Sequence, residues 1–112
     1  MIYELRTYWA APGKAEALHN RFRTLTLGIF ARHGMQVVGF WTPDPSVEDA
    51  GDAGDLVYIM AFPDQEAKAR AWDAFRADPD WIAGRAASEK DGSLAVRVKS
   101  VTLLPTDYSP LK

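Results

Sequence analysis

Four segments of the chain are predicted to be β-strands, from alternating hydrophobic and polar residues or from a run of β-branched and aromatic residues. The segments are residues 3–8, 35–42, 56–62 and 94–101. Successive side chains of a strand point to opposite faces. On the first strand Leu5 therefore lies on one face, and Glu4, Arg6 and Tyr8 lie on the other. The rest of the predicted fold is organised around this strand.

Two helical segments separate the strands. One face of the first helix is apolar at spacings of four, three and four residues, at Leu18, Phe22, Leu25 and Ile29. This helix starts at Pro12 and ends near His33, where Gly34 supplies a left-handed residue. Asp64 suits the N-cap of the second helix, and Asp78 that of a shorter helix after it.

The order of elements (strand, helix, strand, strand, helix, strand) predicts an α+β fold of the ferredoxin-like βαββαβ type. At 112 residues the chain forms one domain, residues 1–112, with a core of its own. Right-handed crossovers put the first and third strands in the middle of a four-stranded antiparallel sheet, with the fourth beside the first and the second beside the third. The helices then cover one face, which we expect to carry Leu5, Val57, Ile59 and Ala61.

The opposite face of this sheet is predicted to mix polar residues with apolar and aromatic ones. Its residues are Glu4, Arg6, Tyr8, Leu56, Tyr58, Met60, Phe62, Arg97 and Lys99. A sheet face this apolar needs a cover from water. The same face of a second copy supplies one through a two-fold axis. We therefore predict a homodimer in which the two sheets form a barrel.

Charge and composition exclude several classes of function. Thirteen basic against fifteen acidic residues leave a net charge of −2, which argues against nucleic-acid binding. The absence of cysteine excludes disulfides and thiolate metal sites. No apolar run approaches the roughly 20 residues of a membrane span, and no signal peptide is visible. We expect no membrane partner and a cytoplasmic location.

Neither a metal nor a cofactor is predicted. His19 and His33 lie about 21 Å apart on one helix, at 1.5 Å per residue, so they cannot share an ion. Residues 44–55 are acidic but lack the spacing of an EF-hand loop, and are interpreted as a solvated hairpin loop. No phosphate-binding glycine loop or nucleophile elbow is present. A helix-capping role is sufficient for His33, and a functional one stays open.

Six short motifs run along the chain: Tyr3-Glu4-Leu5-Arg6-Thr7-Tyr8, Pro12-Gly13-Lys14, Arg32-His33-Gly34, Val38-Gly39-Phe40-Trp41-Thr42, Ala61-Phe62-Pro63-Asp64 and Asp78-Pro79-Asp80-Trp81. With them the chain resembles the NIPSNAP family of the dimeric α+β barrel superfamily. Relatives often carry a His and a Trp on the third strand, where this chain has Tyr58 and Met60. The superfamily includes cofactor-independent monooxygenases, isomerases and haem-degrading proteins, but the family has no settled activity. The resemblance therefore implies a dimeric barrel and assigns no reaction.

The best candidate site is the polar part of the face assigned to the barrel. Arg6 can fork two donors onto a carboxylate or an enolate, and tyrosine hydroxyls lie beside apolar walls. The candidate ligand-binding residues are Glu4, Arg6, Tyr8, Trp41, Tyr58, Met60 and Arg97. The alternative is purely structural: Arg6 pairs with Glu4, and the tyrosines fill an interface.

Two functions stay open. One is a dimer that binds a small, partly aromatic anion without turnover, or that is only structural. The other is a cofactor-independent enzyme, similar to a monooxygenase or an isomerase, that acts on a small aromatic or keto-acid-like substrate. In it Arg6 holds the anion and Tyr8 or Tyr58 donates a proton. A tyrosine acid needs a lowered pKa, which Arg6 or Arg97 would supply.

Overall fold

Four antiparallel strands form one sheet in the order β2-β3-β1-β4. They are β1 (Ile2–Ala10), β2 (Gln36–Trp41), β3 (Leu56–Phe62) and β4 (Ala95–Leu103). The computed structural model describes residues 1–47 and 54–112. The predicted four-stranded antiparallel sheet and the order of its strands are confirmed. β1 runs further than expected, to Ala10, where its register with β4 shifts after Trp9.

The first helical segment is continuous but changes geometry in its middle. Its parts are α1 (Ala15–Arg21), a wide π-helical turn (Phe22–Thr26) and α2 (Leu27–Arg32). The hydroxyl of Thr26 donates to the carbonyl of Arg21, five residues earlier, at 3.5 Å. Gly34 ends the segment at a φ of +67°, which side chains other than glycine rarely adopt. The predicted stop is confirmed.

Two further helices follow β3, and each starts at the cap that the sequence predicts. They are α3 (Gln65–Ala77) and α4 (Pro79–Ser88). The Asp64 carboxylate accepts a hydrogen bond from the backbone of Ala67 at 2.8 Å. The Asp78 carboxylate accepts one from the backbone of Asp80 at 2.9 Å. Such caps satisfy backbone donors that the first helical turn leaves unpaired.

The core lies between the helices and one face of the sheet, and this face is not the predicted one. Its β3 residues are Tyr58, Met60 and Phe62, which belong to one buried cluster with Phe22, Phe30, Trp72 and Phe75 from the helices. Glu4 and Arg6 pair across the strands with Met60 and Tyr58, so they share this face. The expectation that this face would point away from the helices is wrong.

The prediction placed Glu4 and Arg6 away from the helices because they are charged. In the structure they pair with each other and are buried under the helices. Burying a charge costs little when a partner and hydrogen bonds replace the water. The bulky side chains of β3, Tyr58, Met60 and Phe62, fill the wide gap between sheet and helices. Val57 and Ile59, expected in that gap, are only half-buried on the opposite face.

The open face of the sheet, on the side away from the helices, is apolar along the two central strands. Its half-buried aliphatic residues are Leu5, Val57, Ile59 and Val101. None of them belongs to the core cluster. An uncovered apolar sheet face is therefore present, as the sequence predicts, but it is built from the other set of residues.

The acidic segment before β3 is only partly described. Its residues 48–53 lie outside the described residues, so the predicted solvated hairpin loop is not described there. At its end, a carboxylate oxygen of Asp55 accepts a hydrogen bond from the backbone of Ala10 at 2.7 Å. The backbone of Asp55 donates to the carbonyl of Tyr8 at 2.8 Å. Asp55 thus anchors the segment to β1.

A cluster of charged residues ties the end of α2 to the start of α4. The buried carboxylate of Asp78 contacts the Nη2 atom of Arg32 and lies 2.7 Å from the Nε2 atom of His33. Arg32 also contacts Asp80 at 3.0 Å. Hydrogen bonds from Arg32 and His33 hold the pKa of Asp78 well below its usual range. His33 therefore has a structural partner at this junction.

We expect Asp78→Asn to lower the melting temperature at pH 7, because Arg32 and His33 lose their charged acceptor. The Asp78 carboxylate has a lower pKa folded than unfolded, where it is about 3.9. Its stabilisation is therefore complete above about pH 5, falls below about pH 4, and is lost as the pH falls through the folded pKa. Melting curves from pH 2 to pH 7 should show a constant difference between the two proteins near neutral pH and a narrowing one below about pH 4. Asp80→Asn, at an exposed carboxylate of the same junction, is the control. A constant difference across the range would contradict this account.

Candidate binding site

Arg6 lies at the centre of a hydrogen-bonded network on the helix side of β1. Its Nε donates to the Tyr58 hydroxyl at 2.8 Å, and its Nη2 donates to the Tyr8 hydroxyl at 3.1 Å. Its Nη1 donates to a carboxylate oxygen of Glu4 at 3.0 Å. The guanidinium also stacks over Trp72, 4.4 Å from the ring centroid. Arg6 is thus held by four side chains from three elements.

Glu4 is the counter-charge of this network and is only 2% exposed. Its two carboxylate oxygens accept from the indole Nε1 of Trp72 at 2.6 Å and from the Ser100 hydroxyl at 2.5 Å. Burial alone would raise the pKa of Glu4, but these bonds and the charge of Arg6 lower it overall. Glu4 is therefore a carboxylate at neutral pH, as its pairing with Arg6 requires.

The two tyrosines leave one hydroxyl proton free. Tyr8 and Tyr58 hydroxyls lie 3.2 Å apart, so one donates to the other while both accept from Arg6. Each phenol has a single proton to donate. The phenol that accepts within the pair therefore keeps its own proton, and among the described residues none accepts it. This proton is available to an acceptor in the adjoining space.

Burial decides the ionisation of Tyr58, which is fully buried. Desolvation and the neighbouring Tyr8 raise its pKa well above the usual value, against the lowering effect of Arg6. Arg6 does lower this pKa, as expected, but burial outweighs it, so the net lowering that a tyrosine acid needs is absent at Tyr58. A phenol of this kind donates hydrogen bonds but is a weak general acid.

A cavity of about 250 Å³ lies between the sheet and the helices, above this network. Aromatic side chains form much of its wall: Tyr8, Phe22, Phe30, Tyr58, Trp72, Phe75 and Trp81. Its charged residues are Arg6, Arg21, Arg76, Arg85 and Glu89. The volume is below the roughly 300 Å³ at which sites for drug-sized ligands begin. The space suits a small molecule.

The sequence analysis missed several cavity residues, among them Arg21, Arg85 and Glu89. Arg21 is the most buried of the three. It follows Leu18 by three residues and precedes Leu25 by four, so it lies on the apolar face of its helix. That position is the signal that could have indicated it. The side chain is 8% exposed, and its Nε has no hydrogen-bond partner in the described structure. Burial lowers the pKa of Arg21.

The structure brings five of the seven candidate residues to one face of the sheet. These are Glu4, Arg6, Tyr8, Tyr58 and Met60. Met60 packs in the core and does not line the cavity. Trp41 pairs with Val57 and is about half-exposed, and Arg97 pairs with Trp9, so both lie on the open face. The guanidinium of Arg97 stacks 4.5 Å from the ring centroid of Trp9.

Metal and membrane features can be judged for the described residues. Over residues 1–47 and 54–112, no group of three or more histidines or acids could hold a metal ion. The helices of the same residues are all too short or too polar to cross a membrane.

We expect Glu4→Gln to lower the free energy of unfolding by about 3 kcal/mol, because it leaves the buried guanidinium of Arg6 without its counter-charge. The amide also places a donor against the donors of Trp72 and Ser100. Urea unfolding at pH 7 measures this loss. Glu66→Gln, which removes an exposed ion pair on α3, should cost much less. Equal stabilities for the two variants would show that the Glu4 pair contributes little.

Comparison with known proteins gives a consistent result. The model of the NIPSNAP family matches residues 3–110. The chain is 26% identical to an uncharacterized NIPSNAP domain protein from Burkholderia xenovorans, with a TM-score of 0.79 over 98% of this chain and 99% of that one. It is 25% identical to protein Atu4242 from Agrobacterium tumefaciens, with a TM-score of 0.81 over the whole of both chains.

A NIPSNAP family protein from A. tumefaciens, Atu5224, has the same fold, with a TM-score of 0.82 and 22% identity over 99% of this chain and 98% of that one. No curated protein matches the sequence. Because the family model spans nearly the whole sequence, the chain belongs to the NIPSNAP family.

Proposed function

We propose that this NIPSNAP protein binds a small, partly aromatic anion in the cavity between its sheet and its helices. The observation that carries the proposal is the composition of that cavity, which combines four arginines, aromatic walls and a free tyrosine proton. Concave sites with mostly apolar walls and a few convergent polar groups are typical of small-molecule binding.

The charge of the cavity supports an anion. The whole chain carries a net charge of −2, yet among the described residues four arginines and one acid line this space. Low-dielectric walls strengthen the field of such a cluster and attract ions of the opposite sign. Arginine also presents a planar fork of donors that matches a carboxylate or a phosphate.

The walls support a ligand with an aromatic part. The aromatic wall is continuous, because each ring lies 4.6 to 6.3 Å between centroids from the next in the series Phe22, Tyr58, Phe30, Phe75 and Trp81. Aromatic rings gain from offset or edge-to-face contacts beyond the area that they bury. The tyrosine pair offers one hydrogen bond to an acceptor on the ligand.

Binding is favoured over turnover by the state of Arg6 and Tyr58. Arg6 is engaged by Glu4 and both tyrosines, so its role is to position the phenols. The raised pKa of Tyr58 disfavours proton transfer by this residue.

The test is isothermal titration with benzoate and 4-hydroxybenzoate on the wild type, Tyr8→Phe and Tyr108→Phe. We expect binding, weakened about threefold to tenfold in Tyr8→Phe. Tyr8 is the less buried of the two phenols, whereas Tyr58 is fully buried, so Tyr8→Phe removes the hydroxyl that reaches the ligand and its hydrogen bond of about 1 kcal/mol. Tyr108, 83% exposed on the C-terminal tail, is the matched control and should have no effect. Equal affinities for all three proteins would place the ligand elsewhere, and no binding would overturn the proposal.

We also propose that the protein is a homodimer joined through the open face of the sheet. Leu5, Val57, Ile59 and Val101 are half-buried there, and Trp41 is about half-exposed. The same face of a second copy is self-complementary through a two-fold axis. The cavity lies on the other side of the sheet, so each protomer keeps its own.

The C-terminal tail supports this assembly. Residues 104–112 follow β4 and carry exposed apolar side chains at Leu104, Tyr108 and Leu111. Apolar residues clustered on a surface indicate an interaction site. A tail that continues directly from β4, a strand of the same sheet, is suited to pack on the partner.

We expect Ile59→Lys to convert the dimer to a monomer of 12.4 kDa, because it places a charge at the centre of the apolar interface. Sedimentation equilibrium at micromolar concentration measures the mass, and circular dichroism checks the fold. Ile82→Lys, at an exposed position on α4, is the matched control and should leave the mass unchanged. A wild type that sediments as a monomer, or a folded Ile59→Lys dimer, would contradict this interface.

A further inference from the structure

Two cavity arginines share a single acid at the end of α4. The carboxylate of Glu89 lies 2.8 Å from the Nε of Arg85 and 4.0 Å from the Nη1 of Arg21. We propose that the ligand's carboxylate binds at Arg21 and Arg85 and displaces Glu89, which occupies this anion position when the cavity is empty. This inference rests on the proposed function and names the part of the site that recognises the charge.

Arg21 lacks a close counter-charge in the described structure. The distance of 4.0 Å to Glu89 exceeds hydrogen-bonding length. Its one hydrogen bond to another side chain, from Nη1 to the Ser88 hydroxyl, is long at 3.3 Å. A guanidinium has five donors, and one that is 92% buried with a single long bond to a side chain and an unpartnered Nε is costly. A ligand carboxylate beside it would supply the missing acceptor.

The position of Glu89 allows its side chain to move out when a ligand binds. It lies just beyond the last residue of α4, where its backbone bonds to the carbonyls of Arg85 and Ala86 close the helix. Its side chain is 19% exposed, so it borders both the cavity and solvent. A side chain at a helix end can change rotamer without disturbing the core, and Arg85 precedes it by one turn on the same helix.

The other two cavity arginines are less suited to bind the carboxylate of the ligand. Arg6 already has Glu4 as a buried counter-charge at 3.0 Å. Arg76 is about as exposed as Arg85, but it has its own partner in Asp73 at 3.7 Å, whereas Arg85 shares Glu89 with the buried Arg21. The anion position is therefore at Arg21 and Arg85, and the tyrosine pair supplies a second, neutral contact in the same cavity.

These contacts define a class of ligand: an aromatic monocarboxylate with a hydroxyl or carbonyl oxygen away from the acid. The carboxylate would lie between the two arginines, and the ring would lie against the aromatic wall. The second oxygen would accept the free phenol proton of the tyrosine pair.

The test compares 4-hydroxybenzoate with its uncharged methyl ester by isothermal titration. The first four proteins are the wild type, Glu89→Gln, Arg85→Gln and the control Glu66→Gln, which removes an ion pair of the same i,i+4 type outside the cavity lining. Arg85 and Glu89 lie at the rim, so these variants spare the core. Arg21→Lys, which keeps the charge but loses the fork, is a fifth protein.

We expect Glu89→Gln to tighten binding of the acid about twofold to fivefold, as for the loss of a competing, partly exposed ion pair. Arg85→Gln should weaken it about threefold to tenfold, and Arg21→Lys should weaken it as well. The ester should bind all the proteins with similar affinity, because it has no carboxylate to bind at Arg21 and Arg85.

Two results would separate the failure of this inference from that of the proposed function. Binding of the acid that is unchanged in both Glu89→Gln and Arg85→Gln would overturn the displacement of Glu89 and leave the cavity as a binding site. If neither the acid nor the ester binds any of the proteins, including Glu89→Gln, both this inference and the proposed function would be overturned.

Discussion

The buried pair of Glu4 and Arg6 is the interaction on which the arrangement of this protein depends. It joins β1 to β3 through Tyr58, to β4 through Ser100 and to α3 through Trp72. A carboxylate and a guanidinium under the helices are tolerable because each has the other and several hydrogen-bond partners. The pair therefore fixes where α3 and the neighbouring strands meet the first strand, and Arg6 also lines the cavity.

The course of the chain could be predicted from local signals. Asp64 and Asp78 cap helices and Gly34 ends one, as their side-chain chemistry and backbone conformation require. The order of the strands followed from the handedness of the crossovers. These features depend on neighbouring residues or on general chirality, so one sequence is enough to infer them.

The orientation of the sheet could not be predicted in the same way. Both faces of β3 are apolar. The alternation of side chains along this strand therefore assigns each residue to one of two faces, but it does not show which face the helices cover. The polar residues of β1 appeared to decide the question, but whether a buried charge is tolerable depends on partners distant in sequence. Trp72 lies 68 residues from Glu4, and Ser100 lies 96 residues away. Arg21 could not be identified for the same reason, because its partners Ser88 and Glu89 are also distant in sequence.

The wide π-helical turn between α1 and α2 has a consequence for the orientation of Arg21, the residue just before it. Such a turn holds one more residue than an α-helical turn, and one residue corresponds to about 100° of rotation around the helix axis. A relative that lacked this residue would have a regular helix through the segment. With α2 held in place by the core contacts of Phe30, α1 would then be rotated and the guanidinium of Arg21 would leave the cavity. The length of this turn thus sets whether the cavity carries a buried positive charge.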